Sequence, residues 1–189
     1  MLKNAVVFAS GNGSNFQAIV DGIKAKEIKD VSLKLLVCNN EEAYAIERAL
    51  ESGIDVLLID YNQYSTYEIE CMLLTKFKEL KIEYIFLAGF LRKLSPLFIK
   101  SYRNRIINIH PSLLPKYKGL HAIEQALKNR DREIGVTVHY VDEKLDNGPI
   151  IIQESINVNG LEEAEVFEKV HELEHRLYVE AINKVLEVE

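Results

Sequence analysis

The chain has 189 residues, of which 48% are apolar and 28% charged, with a formal net charge of -6. That length suits one domain, spanning residues 1–189, that buries roughly 70% of the surface its unfolded form would expose. The acidic balance argues against a general nucleic-acid binder, although a local cluster of donors can still hold a small anion.

The N-terminus, Met1-Leu2-Lys3-Asn4, leads into a strand without the pattern of a signal peptide, and no apolar run approaches the ~20 residues of a bilayer span. Cys38 and Cys71 form no CxxC pair and read as free thiols of a reducing compartment. The expectation is a cytoplasmic protein with no membrane partner.

Ala5 to Ala9 reads as a buried first strand, followed by the turn Ser10-Gly11-Asn12-Gly13-Ser14-Asn15 and a helix from about Asn15 to Lys26. A glycine-rich turn feeding a helix N-terminus presents unpaired N–H groups and the positive end of the helix dipole, which suits a phosphate. Glycine is expected there because a Cβ would hold the anion off the backbone. A dinucleotide fingerprint would need a glycine where Phe16 stands and an acidic residue where Cys38-Asn39-Asn40 ends the second strand. Lysine followed by Ser or Thr, as in a P-loop, is absent from this turn. NAD and ATP are therefore disfavoured and a monophosphate suits. A tight turn with Ser14 or Asn15 as N-cap accounts for the same residues without a ligand.

Further strands are expected at Val31 to Val37, Asp55 to Ile59, Tyr84 to Ala88 and Arg105 to Ile109, with helices at Tyr44 to Ser52 and Tyr64 to Leu80. Alternating strands and helices of this length predict an α/β domain of Rossmann-like build, with a mostly parallel sheet covered by helices on both faces. Asn108-Ile109-His110-Pro111 closes the fifth strand, at the carboxyl edge where such sheets bind ligands. Alternation puts Asn108 and His110 on one face, where an amide can donate to a carbonyl oxygen and an imidazole can carry a proton or stabilise an oxyanion. Pro111 and Pro115 restrict the loop that follows.

Gly135 to Val141 and Pro149 to Gln153 are joined by turn-forming residues rather than a helix, which predicts an antiparallel addition to the sheet. Their connection holds Asp146-Asn147-Gly148-Pro149, a turn by composition. If Asp146 lies near His110, its carboxylate would favour the charged imidazole and raise its pKa. A long helix from about Leu161 to Leu186 closes the chain, with Val166, Val170, Leu173, Leu177 and Ala181 as its buried stripe.

The five histidines form neither HExxH nor a Cys/His cluster. His171 and His175, four apart on one helix, read as surface or capping residues rather than metal ligands, and no metal is expected. There is no GxSxG elbow and neither cysteine has a basic setting, so direct attack by the substrate's own nucleophile fits better than a covalent enzyme intermediate.

Ser10-Gly-Asn-Gly-Ser-Asn15, Leu87-Ala-Gly-Phe90, Asn108-Ile-His-Pro-Ser-Leu-Leu-Pro115, Lys118-Gly-Leu-His121 and Leu145-Asp-Asn-Gly-Pro149 together resemble the motifs of the folate-dependent formyltransferase superfamily. The Gly-Asn-Gly-Ser-Asn turn is similar to that of its glycinamide ribonucleotide transformylases, and the resemblance runs from about residue 4 to residue 186. It implies transfer of the formyl group of 10-formyltetrahydrofolate, as cosubstrate, to the glycyl amine of glycinamide ribonucleotide in purine biosynthesis. It implies Asn108, His110 and Asp146 as the catalytic set. Gly11, Asn12, Gly13, Ser14, Asn15 and Glu174 fall at the ribonucleotide site. Arg92, Lys93, Leu94, Ile106 and Val141, with Asn108 and Asp146, fall at the folate pocket.

The chain departs from the pattern at His171, where relatives often carry Gln, and at Tyr64-Ser65-Thr66, where some carry an Arg that meets the folate's glutamate tail. Rival readings are a 10-formyltetrahydrofolate deformylase, a methionyl-tRNA formyltransferase and a non-catalytic nucleotide-binding module. The first two usually carry a further domain for which this length leaves no room.

Overall fold

The computed structural model describes residues 2–187. In chain order its elements are β1 (Lys3–Ala9), α1 (Ser14–Lys24), β2 (Val31–Cys38), α2 (Tyr44–Glu51), β3 (Asp55–Leu58), α3 (Thr66–Glu79) and β4 (Tyr84–Leu87). There follow α4 (Pro96–Ser101), β5 (Ile106–His110), α5 (Ala122–Lys128), β6 (Glu133–Tyr140), β7 (Ile150–Asn157) and α6 (Glu163–Glu187). The strands form one sheet in the order β3-β2-β1-β4-β5-β6-β7, in which β1 to β5 run parallel and β6 and β7 antiparallel.

The apolar runs divide by alternation between two cores. Ala5, Val7 and Ala9 of β1 face a cluster completed by α1, α2, α5 and α6, while Val6 and Phe8 face one completed by α3 and α4. A strand buried on both faces has no polar side to display, which is why β1 from Ala5 to Ala9, β4, and the second half of β2 from Leu35 to Cys38 read as continuous rather than alternating hydrophobic sequence. The predicted stripe of α6 is buried at all five positions. Among the described residues no helix is long and apolar enough to cross a membrane.

Two helices were not foreseen. α4 and α5 have six and seven residues, under two turns each, too short for a periodic pattern to emerge. The start of α4 is nonetheless written in the sequence: Ser95 accepts from the Phe98 N–H as N-cap and Pro96 occupies the first turn. β7 continues to Asn157, beyond the expected Gln153, because an edge strand with one open side tolerates Glu154 and Ser155.

The order β2-β1-β4 makes a topological switch point: the chain leaves β1 toward one side of the sheet and later returns through β4 to the other. Loops after β1 and β4 diverge there and leave a crevice at the carboxyl edge. Ser10 ties the two loops together, since its Oγ accepts from the Leu91 N–H at 3.0 Å and donates to Asn39 Oδ1 at 2.5 Å.

Candidate active site

Two adjoining cavities occupy the crevice. One, of about 510 Å³, is lined by the glycine turn, the Gly89–Lys93 loop, Asn108 to Pro111, Gly119 to Ala122, and His171 and Glu174 of α6. The other, of about 100 Å³, is lined by Leu87, Phe90, Leu94, Ile99 and Val141 with Arg92, Lys93 and Lys144 at its charged rim. Phe90, Arg92, Lys93, Asn108, Leu145 and Asp146 line both, so the side chains of Asn108 and Asp146 stand where the two cavities adjoin.

The glycine turn ends at Gly13, which is the N-cap residue of α1 at φ 74° and makes no side-chain cap hydrogen bond. The expected cap by Ser14 or Asn15 is thus replaced by a left-handed glycine, and the first-turn N–H groups of α1 gain no side-chain acceptor from a cap. Gly13 is required for a different reason from the one expected. Its φ suits glycine, and a Cβ would stand 2.6 Å from Ala45 Cβ of α2. The open approach belongs to Gly11, where a Cβ would meet nothing within 4 Å.

Arg48 of α2 braces the turn: its Nε donates to the Asn12 carbonyl at 2.9 Å and Nη2 to Asn12 Oδ1 at 3.1 Å, with the guanidinium 4.7 Å above the Tyr44 ring. Asn15 Nδ2 donates to Glu174 Oε1 at 3.2 Å, and His171 Nδ1 lies 2.6 Å from Glu174 Oε2. That hydrogen bond outweighs partial burial and raises the His171 pKa above its ordinary 6.5.

At the end of β5, the partners of His110 set its proton. Nε2 lies 2.8 Å from the Tyr117 carbonyl, which can only accept, so Nε2 carries hydrogen and Nδ1 is the nitrogen free to gain or lose a proton. Nδ1 faces Asp146 Oδ2 at 3.6 Å. Tyr117 is held in place by its own hydroxyl, which donates to Asp131 at 3.0 Å and accepts from Asn129 at 2.9 Å.

Asp146 sits in the β6–β7 loop with φ 45°, a left-handed conformation that Asp tolerates better than most residues. Its Oδ2 accepts the Gly119 N–H at 2.8 Å. His139 of β6 stands opposite Asn108 of β5 in the antiparallel register and is 2% exposed. Its Nδ1 donates to the Tyr140 carbonyl at 2.8 Å, so Nε2 has a lone pair and accepts from Asn108 Nδ2 at 3.2 Å. Burial above all pushes the His139 pKa below its ordinary 6.5 and keeps it neutral, against the raising effects of Tyr140 and Asp146. The amide of Asn108 is thereby oriented, because the reversed amide would turn its oxygen toward two acceptors. One N–H goes to His139; the other points at Asp146 Oδ1 across 3.5 Å, long enough for a substrate oxygen to compete for it.

The structure brings Asn108, His110 and Asp146 together, and gathers Gly11 to Asn15 with Glu174 around one cavity. Arg92, Lys93, Leu94 and Val141 line the other. Ile106 is 1% exposed, in the core cluster that also holds Leu87, Leu94 and Ile99, and is not itself in the lining of either cavity, while Asn108, two residues on along the strand, reaches the crevice. His139, Tyr117, Gly119 and Arg48 were missed. Of these only His139 left a signal, since an antiparallel β5–β6 pair in the right register would have set it beside Asn108.

The chain matches the family model described as formyl transferase over residues 3–182. It is 40% identical over 187 residues to a phosphoribosylglycinamide formyltransferase of Bacillus subtilis, covering 98% of this chain and 95% of that one. It is 39% identical over 183 residues to a trifunctional purine biosynthetic protein adenosine-3 of Drosophila pseudoobscura, covering 95% of this chain and 13% of that much longer one. Among solved structures, a phosphoribosylglycinamide formyltransferase from Bacillus halodurans superposes with a TM-score of 0.92 at 39% identity, covering 97% of this chain and 95% of that one.

Proposed function

The chain belongs to the formyl transferase family, and we propose from that premise that it transfers the formyl group of 10-formyltetrahydrofolate to the glycyl amine of glycinamide ribonucleotide, in purine biosynthesis. The observation that carries this reading is the meeting of two cavities at Asn108 and Asp146, with His110 alongside. The larger cavity has the turn and helix start that suit a phosphate, and the smaller has an apolar lining that suits a pterin, with Arg92, Lys93 and Lys144 among its charged residues for an acidic tail.

The ribonucleotide amine attacks the formyl carbon, forming a C–N bond and placing negative charge on the formyl oxygen. The Asn108 N–H that faces Asp146 turns to that oxygen, and His110 donates from Nδ1 to the same developing charge. Asp146, 3.6 Å from Nδ1, faces the positive charge that His110 carries at this stage. The attacking nitrogen then loses its proton, the bond from the formyl carbon to N10 of the folate breaks, and N10 takes up a proton. Asp146 and His110 are the groups within reach to move it, directly or through water. Neutral His139 has a positioning role, keeping the Asn108 donor aimed.

The test is tetrahydrofolate release from 10-formyltetrahydrofolate with and without glycinamide ribonucleotide. Release that requires the ribonucleotide, with formylated product, is expected. Equal release without it would make water the acceptor and the protein a deformylase; no release under either condition would leave a nucleotide-binding module. His110→Ala and Asp146→Asn should each lose on the order of a hundredfold in kcat. Near-native turnover in both would overturn these roles.

A further inference from the structure

Among the described residues three carboxylates are buried, Glu70, Asp146 and Glu174, and of these Glu70 alone lines neither cavity. It stands on α3 and is 4% exposed. A carboxylate taken out of water destabilises the fold unless its oxygens find donors. Here both oxygens turn to one residue: Oε1 accepts the Ser95 N–H at 2.7 Å, and Oε2 accepts the Ser95 hydroxyl. The same hydroxyl oxygen accepts the Phe98 N–H at 3.2 Å. The proton of that hydroxyl is thus committed to Glu70, and one of its lone pairs to the start of α4.

The place of Ser95 matters because of what flanks it. Arg92, Lys93 and Leu94 before it, and Ile99 of α4 after it, all line the smaller cavity. At its other end the segment is tied by the Leu91 N–H to Ser10 Oγ bond at 3.0 Å. Between the two ties, neither Arg92 nor Lys93 hydrogen-bonds to another described residue. Leu94 packs into the core, and the Arg92 guanidinium rests 4.7 Å from the centre of the Tyr61 ring. Burial, and after it the charge of Glu70, raises the Tyr61 pKa above its ordinary 10, while Arg92 lowers it. Carboxylate, phenol and guanidinium therefore share one neighbourhood.

Resting on the folate reading of the smaller cavity, we propose that Glu70 is a positioning residue for 10-formyltetrahydrofolate. By holding both donors of Ser95 it sets Arg92, Lys93, Leu94 and the start of α4 before the cosubstrate arrives, so that binding does not have to order this wall. With that hold lost, the wall must be ordered on binding and folate affinity falls. His110 on β5 and Asp146 in the β6–β7 loop, which move the proton, keep their places.

Glu70→Gln replaces one of the two acceptors by a donor, and Ser95→Ala removes the hydroxyl; the Ser95 N–H keeps an acceptor in each. Calorimetric titration of tetrahydrofolate reads affinity apart from the reaction, and it should weaken by about threefold to tenfold in each variant. The KM for 10-formyltetrahydrofolate should rise in step, with kcat and the KM for glycinamide ribonucleotide near native. The double variant should match Ser95→Ala within about twofold, because that single substitution already removes the group Glu70 holds. Glu70→Asp, which keeps the charge and loses reach, is a milder second probe and should weaken tetrahydrofolate in the same direction. Denaturant unfolding of the same preparations separates positioning from a structural role. Lowered stability with native tetrahydrofolate affinity in the Glu70 variants, equal losses for both substrates, or additive losses in the double variant would overturn this assignment alone. No tetrahydrofolate binding by the native protein would overturn both it and the function on which it rests.

Discussion

The donor and acceptor inventory of four side chains determines how the site is set. His139 can accept from Asn108 only while neutral, and its burial keeps it so; protonated, it would present hydrogen to hydrogen and release the amide. Because the folded pKa lies below the ordinary 6.5, the unfolded chain takes up the proton first, and stability is lost as pH falls below about 6.5. His175, also pushed down by burial, adds to that acid loss. His171, pushed up, acts oppositely: its contribution is present on the acid side and lost as pH rises through its raised pKa. Denaturant unfolding from about pH 5 to 8 should show stability declining toward acid, and His139→Gln should shallow that decline, leaving the share due to His175. An unchanged acid slope in the variant would mean that His139 does not titrate with folding.

At the scale of the element, the β6–β7 connection delivers Asp146, and one glycine makes that delivery possible. A Cβ on Gly148 would lie 1.8 Å from the Tyr140 carbonyl oxygen, so the loop returns against β6 with backbone touching backbone, closed by the Tyr140 N–H to Pro149 carbonyl bond at 2.9 Å. Gly148→Ala must push the loop outward. A cost of about 1–3 kcal/mol in stability is expected, with turnover falling on the order of tenfold to a hundredfold as Asp146 leaves His110. Gly53→Ala is the control: its φ of 69° is strained for alanine, about 1 kcal/mol, but nothing lies within 4 Å of the new methyl and it is remote from the cavities, so turnover should hold. Equal losses of turnover in both would mean that general destabilisation, rather than the loop's position, is being measured. Asp-Asn-Gly-Pro announced a turn, yet neither the close approach nor the meeting with His110 was legible. The β5–β6 connection contains α5 and a loop anchored by Tyr117, and nothing local in the sequence sets the register at its far end. β1 and β4 were legible because burial on both faces writes uninterrupted apolar runs, and α6 because five positions repeat over its length. α4 and α5 were missed because short helices leave caps rather than periods.

For the whole molecule, the sheet order places the crevice at the β1–β4 switch point, and α6 supports it from one face. This helix carries Glu174 and His171 at the cavity, and one turn beyond Glu174 it carries Tyr178, which is wholly buried. The Tyr178 hydroxyl lies 2.9 Å from the Leu87 carbonyl of β4 and 3.0 Å from the Ile107 carbonyl of β5, sharing its hydrogen between the two strands that bear the site. Burial raises its pKa well above 10, so it remains a donor at every working pH. Tyr178→Phe keeps the ring and its edge contact with Phe86 but releases both carbonyls. Stability should fall by about 1 kcal/mol, the net weight of one buried hydrogen bond. Because Glu174 is attached one turn away, the looser helix should weaken ribonucleotide binding more than it raises the KM for 10-formyltetrahydrofolate, whose expected pocket is built from β4, β5 and the β6–β7 loop without α6. Denaturant unfolding and the two substrate constants measured on one preparation decide the matter. Equal weakening for both substrates would mean that Tyr178 supports the sheet itself, and that α6 is not the separate anchor of the ribonucleotide side.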